Sequence, residues 1–263
     1  MKNKLDDFIL DIKNSLPFNG IEPESVSNGK RFYFGNKEYG IPLKKCFDLL
    51  KIESKEFTPV KGHENLKICS VSSSARLCFL YFCDEEDAEF ETHLNNPTGG
   101  GNAAQPDAKI GNTYYECKCQ EIVNGERETL KDSYEPLLKE FFGFDKININ
   151  MYEKTHFNVK QLLTHLIAIG QKHKKDAVAL QYVFFTPTEG QQSDGTKKVY
   201  DELKAEIKAI WNSNLLRAYK KYRPNVDIPD PVFIPVSEQC FAKKPADILD
   251  RIKKKNKSVT CLL

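Results

Sequence analysis

Several things are missing from this 263-residue chain. It has no apolar run of the ~18 residues that a membrane-spanning helix requires, and its first residues lack the uninterrupted apolar stretch of a signal peptide. A cytoplasmic protein with no membrane partner is expected. None of the eight cysteines forms a Cys-x-x-Cys pair, which removes the common zinc and dithiol frameworks. The eight stand at 46, 69, 78, 83, 117, 119, 240 and 261, and several of them lie in apolar segments, where a free thiol behaves as a small hydrophobe. Cys117-x-Cys119 has no second ligand pair nearby and reads as core, and Cys261-Leu-Leu is one residue short of a prenylation box. No Gly-Lys-Ser or Gly-Lys-Thr follows Gly99-Gly-Gly101, so a phosphate-cradling loop is excluded there. The glycines read as a flexible loop or as a place where a nucleic-acid backbone passes close to the chain. Charge of one sign is scarce too. With 39 Lys and Arg against 37 Asp and Glu the net charge is +2, so nucleic-acid binding cannot be argued from global basicity, only from local patches.

What is present points to a soluble globule. A 40% hydrophobic content supports a sizeable core, and at about 100–200 residues per domain the length fits one elaborated domain over 1–263.

The most informative stretch is Gln105 to Gln120, QPDAKIGNTYYECKCQ. Two runs able to form strands flank Gly111-Asn112, a dipeptide suited to a two-residue hairpin turn with positive φ at its first position. That loop sets the register: Ile110 faces Thr113, Lys109 faces Tyr114, Ala108 faces Tyr115, and Asp107 lies across from Glu116. Opposed carboxylates at about 5 Å repel by roughly 3 kcal/mol at an effective dielectric of about 20. The period of two puts Lys118 on the face of Glu116 and turns Cys117 and Cys119 the other way. Two carboxylates so placed suit a hard cation, Mg²⁺ or Mn²⁺, completed by water and phosphate oxygens. The lysine beside them can orient or deprotonate a water that attacks phosphorus.

Pro106-Asp107, eight intervening residues, then Glu116-Cys117-Lys118 resembles the signature of the PD-(D/E)xK nuclease superfamily, which includes restriction endonucleases, recombination exonucleases and junction resolvases. The resemblance implies that Asp107 and Glu116 bind the metal, that the backbone carbonyl of Cys117 is a third ligand, and that Lys118 positions the water. Related sites recruit an acid from the element before the Pro-Asp strand, here Glu91, and a polar residue from the helix after the Glu-x-Lys strand, here Gln161 or His165. Each has a plainer alternative. Gln161 is the third residue after Asn158, where a capping box would place it, and His165 also suits a partly buried polar position. His93, beside Glu91, raises a histidine-containing transition-metal site, for which one histidine is weak support.

Along the chain, Lys2 to Leu16 reads as an amphipathic helix stopped by Pro17. Arg31 to Ile41 offers a second Gly-Asn hairpin, and Pro42 to Lys51 a short helix with Leu43, Cys46, Phe47 and Leu50 on one side. Ala75 to Phe82 reads as a buried helix capped within Ser72-Ser-Ser74, with a buried strand as the alternative. Asp84 to Asp87 is a solvated turn, and Glu89 to Leu94 is a strand with Phe90, Thr92 and Leu94 inward. Glu126 to Phe142 is a helix interrupted by Pro136, followed by a connector with Ile147 and Ile149. A helix capped by Asn158 carries Val159, Leu162, Leu163, Leu166 and Ile167 at 3.6 periodicity and ends near Gly170. Asp176 to Thr186 is a buried strand. The C-terminal third holds one helix from Thr196 to Tyr222, an extended segment and a last helix from Pro245. Basic clusters at Lys220-Lys221/Arg223 and Lys253 to Lys257 read first as solvated helix ends, and second as phosphate contacts.

The expected fold is therefore α/β, with α+β mixing: a restriction endonuclease-like αβββαβ core at 72–187 with a central mixed sheet flanked by helices, an N-terminal elaboration at 1–60 and a C-terminal helical extension at 196–263. The expected function is a Mg²⁺- or Mn²⁺-dependent deoxyribonuclease, an endonuclease with DNA as partner and a homodimer as an allowed assembly. Two other classes stand beside it: a catalytically inactive nucleic-acid-binding protein with the nuclease fold, and a metal-independent interaction protein in which the hairpin is only surface.

Overall fold

The computed structural model describes residues 2–17, 20–26, 31–60, 64–99, 104–123, 130–144 and 156–260. In chain order these form α1 (Lys2–Ser15), β1 (Glu24–Val26), β2 (Arg31–Tyr33), α2 (Ile41–Leu50), α3 (Ser74–Phe82), β3 (Glu89–Phe90), β4 (Ala108–Ile110) and β5 (Thr113–Lys118). There follow α4 (Glu135–Phe142), α5 (Val159–Lys172), β6 (Val178–Thr186), α6 (Asp194–Trp211), α7 (Asn214–Tyr222), β7 (Val226–Asp227), β8 (Val232–Pro235) and α8 (Pro245–Thr260). The class is mixed α/β with a mixed central sheet. No described helix is long and apolar enough to cross a membrane. The chain divides into two compact units: residues 1–86, 185–193 and 234–263 form one, and residues 87–184 and 194–233 the other.

In the first unit, Phe8, Ile9, Ile12 and Leu16 of the α1 stripe are buried as the periodicity predicts. The polar residues on that helix hold the segment after β6: Ser193 N–H donates to Asp11 Oδ2 and Thr188 N–H to Ser15 Oγ, each at 2.8 Å. The predicted Gly35-Asn36 hairpin does not form. β2 pairs instead with β1, and Asn36 to Gly40 is a single π-helical turn running into α2. The reason is tertiary, because Asn36 is claimed by another segment: its Nδ2 donates to Glu64 O at 2.9 Å and its Oδ1 accepts from Leu66 N–H at 3.3 Å. α2 buries Leu43, Cys46 and Phe47, but Leu50 is 41% exposed at the helix end and not part of the apolar side.

α3 is the predicted buried helix, capped by Ser73, whose Oγ accepts from Arg76 N–H at 3.2 Å. Arg76 itself is fully buried. Its guanidinium donates to Ser70 O, Val71 O and Tyr39 OH and lies 4.9 Å from the Phe34 ring centroid, so carbonyl dipoles and aromatic faces replace water around the cation. In the acidic turn, Asp84 pairs with Lys243 at 2.7 Å and Arg251 at 2.6 Å.

The second unit carries the sheet, in the order β3-β4-β5-β6-β7 with β8 beside β6. β3-β4 and β4-β5 are antiparallel, while β5-β6 and β6-β7 are parallel. A parallel β5-β6 pair needs a long crossover, and α4 and α5 lie within it. α5 buries Leu162, Leu163, Leu166 and Ile167, and Gly170 lies in its last turn. A Cβ there would come within 2.7 Å of Phe141 Cε1, so only glycine lets α4 pack this closely. Pro136 does not interrupt a longer helix. It stands in the first turn of α4, where its missing N–H has no intrahelical partner to lose. Residues 126–129 and the isoleucines 147 and 149 lie outside the described residues.

Two further expectations are corrected here. The strand predicted over Glu89–Leu94 stops at Phe90, where Glu91 takes φ +51; Glu91 and Thr92 N–H still donate to Asp107 O and Pro106 O, and the next strand-like bridge is Leu94–Ala104. Thr92 and Leu94 are nonetheless buried and His93 is exposed. The helix predicted over Thr196–Tyr222 is two helices, broken at Ser213, whose extended backbone leads into the second while its Oγ donates to Ile210 O at the end of the first. The first basic cluster is largely engaged: Lys220 pairs with Asp227 at 3.8 Å, and Arg223 pairs with Glu140 at 3.0 Å and lies 4.1 Å from the Phe141 ring centroid.

Candidate functional site

The hairpin has the register expected from its loop. Ala108 pairs Tyr115, Lys109 pairs Tyr114 and Ile110 pairs Thr113, with Gly111 at φ +54. Gly111 N–H donates to Asp87 Oδ2 at 2.9 Å, which pins the turn. Cys117 and Cys119 are buried and not in a disulfide, and the period of two along β5 turns Cys117 away from the face of Glu116 and Lys118.

Glu116 is the centre of the site and only 2% exposed. Lys118 Nζ lies 2.6 Å from its Oε1, and Gln161 Nε2 donates to the same oxygen at 2.8 Å. The other oxygen, Oε2, is 3.5 Å from His165 Nδ1. Gln161 does not complete a capping box: its backbone N–H is capped by Asn158 Oδ1 at 2.8 Å, while its side chain turns to Glu116 and not back to the cap. His165, one turn on, is 2% exposed and faces the same acid.

Asp107 is half-buried and sits just before β4. Its Oδ2 accepts from Cys117 N–H at 2.6 Å, and its own carbonyl accepts from Glu91 N–H at 2.8 Å. Burial and then the Glu116 charge push its carboxyl well above the usual carboxylate range, against the pull of Lys118 and of the Cys117 N–H, with Glu91 adding to the rise. Burial alone would lower the pKa of Lys118. The charges of Glu116, Glu121 and Asp107 outweigh it and raise the pKa, so the side chain is a firmly held ammonium. In His165 burial lowers the pKa more than Glu116 raises it, and Lys118 adds to the lowering, which leaves a neutral ring.

Glu91 comes near enough to act on Asp107, and its Oε2 accepts from Gln105 Nε2 at 2.8 Å. Its left-handed backbone costs on the order of 1 kcal/mol or more. Sequence reasoning missed Gln105, and it missed Tyr182 of β6. Tyr182 is the parallel-strand neighbour of Glu116 and 1% exposed; burial, then Glu116 and Asp107, push its hydroxyl well above the phenol range, so it remains a donor. No local signal marks Tyr182, because parallel register is set by a crossover rather than by a turn.

Among the described residues no three His, Cys, Asp or Glu side chains are already gathered to hold a metal. The donor chemistry nevertheless fits a hard cation. Glu116 Oε2 is buried without a hydrogen-bond partner, and burial and then the Glu116 charge push the carboxyl of Asp107 above its ordinary range. Comparison with models of protein families, with curated proteins and with solved structures found no match.

Proposed function

We propose that this protein is a metal-dependent deoxyribonuclease of the PD-(D/E)xK type, cutting DNA internally with Mg²⁺ or Mn²⁺. The observation that carries the reading is the convergence of Asp107, Lys118 and Gln161 on a buried Glu116. A carboxylate enclosed with one oxygen unsatisfied loses about 1–3 kcal/mol of stability, and a catalytic role accounts for its retention. The chain order of α3, β3 to β5, α4 and α5, and β6, with β6 parallel to β5, supports a restriction endonuclease-like core.

In this reading Asp107 and Glu116, with the Cys117 carbonyl and Glu91, hold the cation. When bound, it supplies charge stabilisation to the phosphate undergoing hydrolysis. Glu116 must release Lys118 and Gln161 from Oε1 to present that oxygen. Lys118, held as an ammonium, then faces the space the carboxylates line, where it orients water and neutralises developing charge; its raised pKa disfavours proton abstraction. Gln161 is left free to hold water or a phosphate oxygen.

The test is incubation of purified protein with closed circular and linear DNA, with and without Mg²⁺ or Mn²⁺. Metal-dependent nicking of the circle that Lys118→Ala abolishes is expected. Absence of cleavage under both metals, or cleavage that Lys118→Ala leaves intact, overturns the proposal.

A further inference from the structure

Three buried side-chain polar atoms among the described residues have no hydrogen-bond partner: Glu116 Oε2, His165 Nδ1 and the Tyr182 hydroxyl. They are not scattered. His165 Nδ1 stands 3.5 Å from Glu116 Oε2, and Tyr182 is the direct β5-β6 register partner of Glu116, with its side chain on the same face of the sheet. All three residues are at most 2% exposed, so bulk water does not satisfy them. Buried polar groups are almost always paired, and unpaired ones call for an explanation. Here one acceptor oxygen lies 3.5 Å from a buried imidazole nitrogen, and a buried phenol stands on the adjacent strand on the same face of the sheet.

We propose that His165, through Nδ1–H, and Tyr182, through its hydroxyl, are positioning residues that close onto Glu116 Oε2 when a divalent cation draws Oε1 away from Lys118 and Gln161. The inference rests on the nuclease reading above and deepens it. In the cation-free protein Glu116 is gripped on Oε1 by the ammonium and the amide, and Oε2 is left short of bonding distance. A carboxylate that turns outward loses those two donors. Inner donors then replace them, fix the carboxylate plane and raise its ligand strength, as partners of metal ligands generally do. Tyr182 is held for this by rings on several sides, including Phe157 at 5.1 Å and Trp211 at 6.3 Å between centroids. A hydroxyl kept dry with no partner costs stability in the resting state, and a state that bonds it recovers that cost.

The experiment measures Mn²⁺ affinity by calorimetry for the wild type, Asp107→Ala, His165→Asn, His165→Gln and Tyr182→Phe, with thermal melts of each metal-free protein. An asparagine amide places a donor where Nδ1 stands, and a glutamine amide places one nearer Nε2. His165→Gln and Tyr182→Phe are each expected to weaken Mn²⁺ binding about 10–100-fold, while His165→Asn stays within about threefold of wild type. Tyr182→Phe is expected to melt no lower than wild type without metal, since it removes an unsatisfied group. Wild-type affinity in both His165→Gln and Tyr182→Phe, with binding lost in Asp107→Ala, overturns this inference and leaves the nuclease reading standing. Absence of Mn²⁺ binding by the wild type, or binding that Asp107→Ala does not weaken, overturns both.

Discussion

Gln161 Nε2 donates to Glu116 Oε1 at 2.8 Å across 45 residues of sequence, joining the first turn of α5 to the strand that carries the Glu-x-Lys triplet. The same residue's backbone is capped by Asn158, so the helix start and the site are fixed together. The two roles are separable. Asn158→Ala should cost stability alone, about 0.5–2 kcal/mol. Gln161→Ala should cost about 1.5–3 kcal/mol through the lost bond to a carboxylate and also reduce DNA cleavage. Denaturant melts paired with a nicking assay distinguish them, and equal cleavage by the two variants would remove Gln161 from the site.

Lys118 is 18% exposed and its partner Glu116 only 2%, so the pair cannot be treated as a surface ion pair. Removing one partner of a buried pair typically costs about 3–5 kcal/mol, because the other charge is left uncompensated. Lys118→Met should therefore be less stable without metal, and Mn²⁺ should raise its melting temperature more than that of the wild type. Cleavage should fall by about 10²–10³-fold, the loss typical when a group that stabilises developing charge is removed. Equal Mn²⁺-induced shifts would argue against a cation at Glu116.

Asp107 gives a pH dependence whose sign follows from its raised pKa. The folded protein binds this proton more tightly than the unfolded chain, so the contribution to stability is present at low pH. It is lost as pH climbs from the ordinary carboxylate range toward the folded value. Asp107→Asn keeps an acceptor for Cys117 N–H and has no proton to lose. Its stability relative to the metal-free wild type should increase with pH through that window. Melts over a pH series check this, and a difference independent of pH refutes it. Asp107→Ala is a poorer probe, since it also discards the 2.6 Å bond to Cys117.

Glu91 combines a left-handed backbone with a carboxylate whose charge reaches Asp107. Glu91→Gly should lose cation affinity yet remain as stable as the wild type or gain up to about 1 kcal/mol, because glycine adopts that φ without strain. Glu91→Ala keeps the strain and loses the carboxylate, so it should be the less stable of the two. Calorimetry and melts on both separate the contributions. Unchanged Mn²⁺ affinity in both would leave Glu91 outside the metal shell.

Local chemistry was enough to read the hairpin, α1, the capped α5 and the buried β6. A two-residue loop at Gly111-Asn112 dictates its own register, and apolar spacing dictates which side of a helix is buried. From these the proximity of Asp107, Glu116 and Lys118 follows with no knowledge of the rest of the chain. Gln161 was legible only as one of two readings, and its side chain goes to Glu116 rather than completing the capping box. What local sequence could not decide depended on distant partners. The Gly35-Asn36 turn is lost because residues 64–66 bind Asn36, and the long C-terminal helix breaks at Ser213, whose hydroxyl bonds back to Ile210 O. Glu91 leaves the strand where its N–H reaches the Asp107 carbonyl. Tyr182 meets Glu116 only because β6 lies parallel to β5, a register set by the packing of the intervening crossover. Turns and helix stripes are determined by neighbours within a few residues, whereas the groups surrounding a buried carboxylate are chosen by whatever the tertiary fold brings beside it.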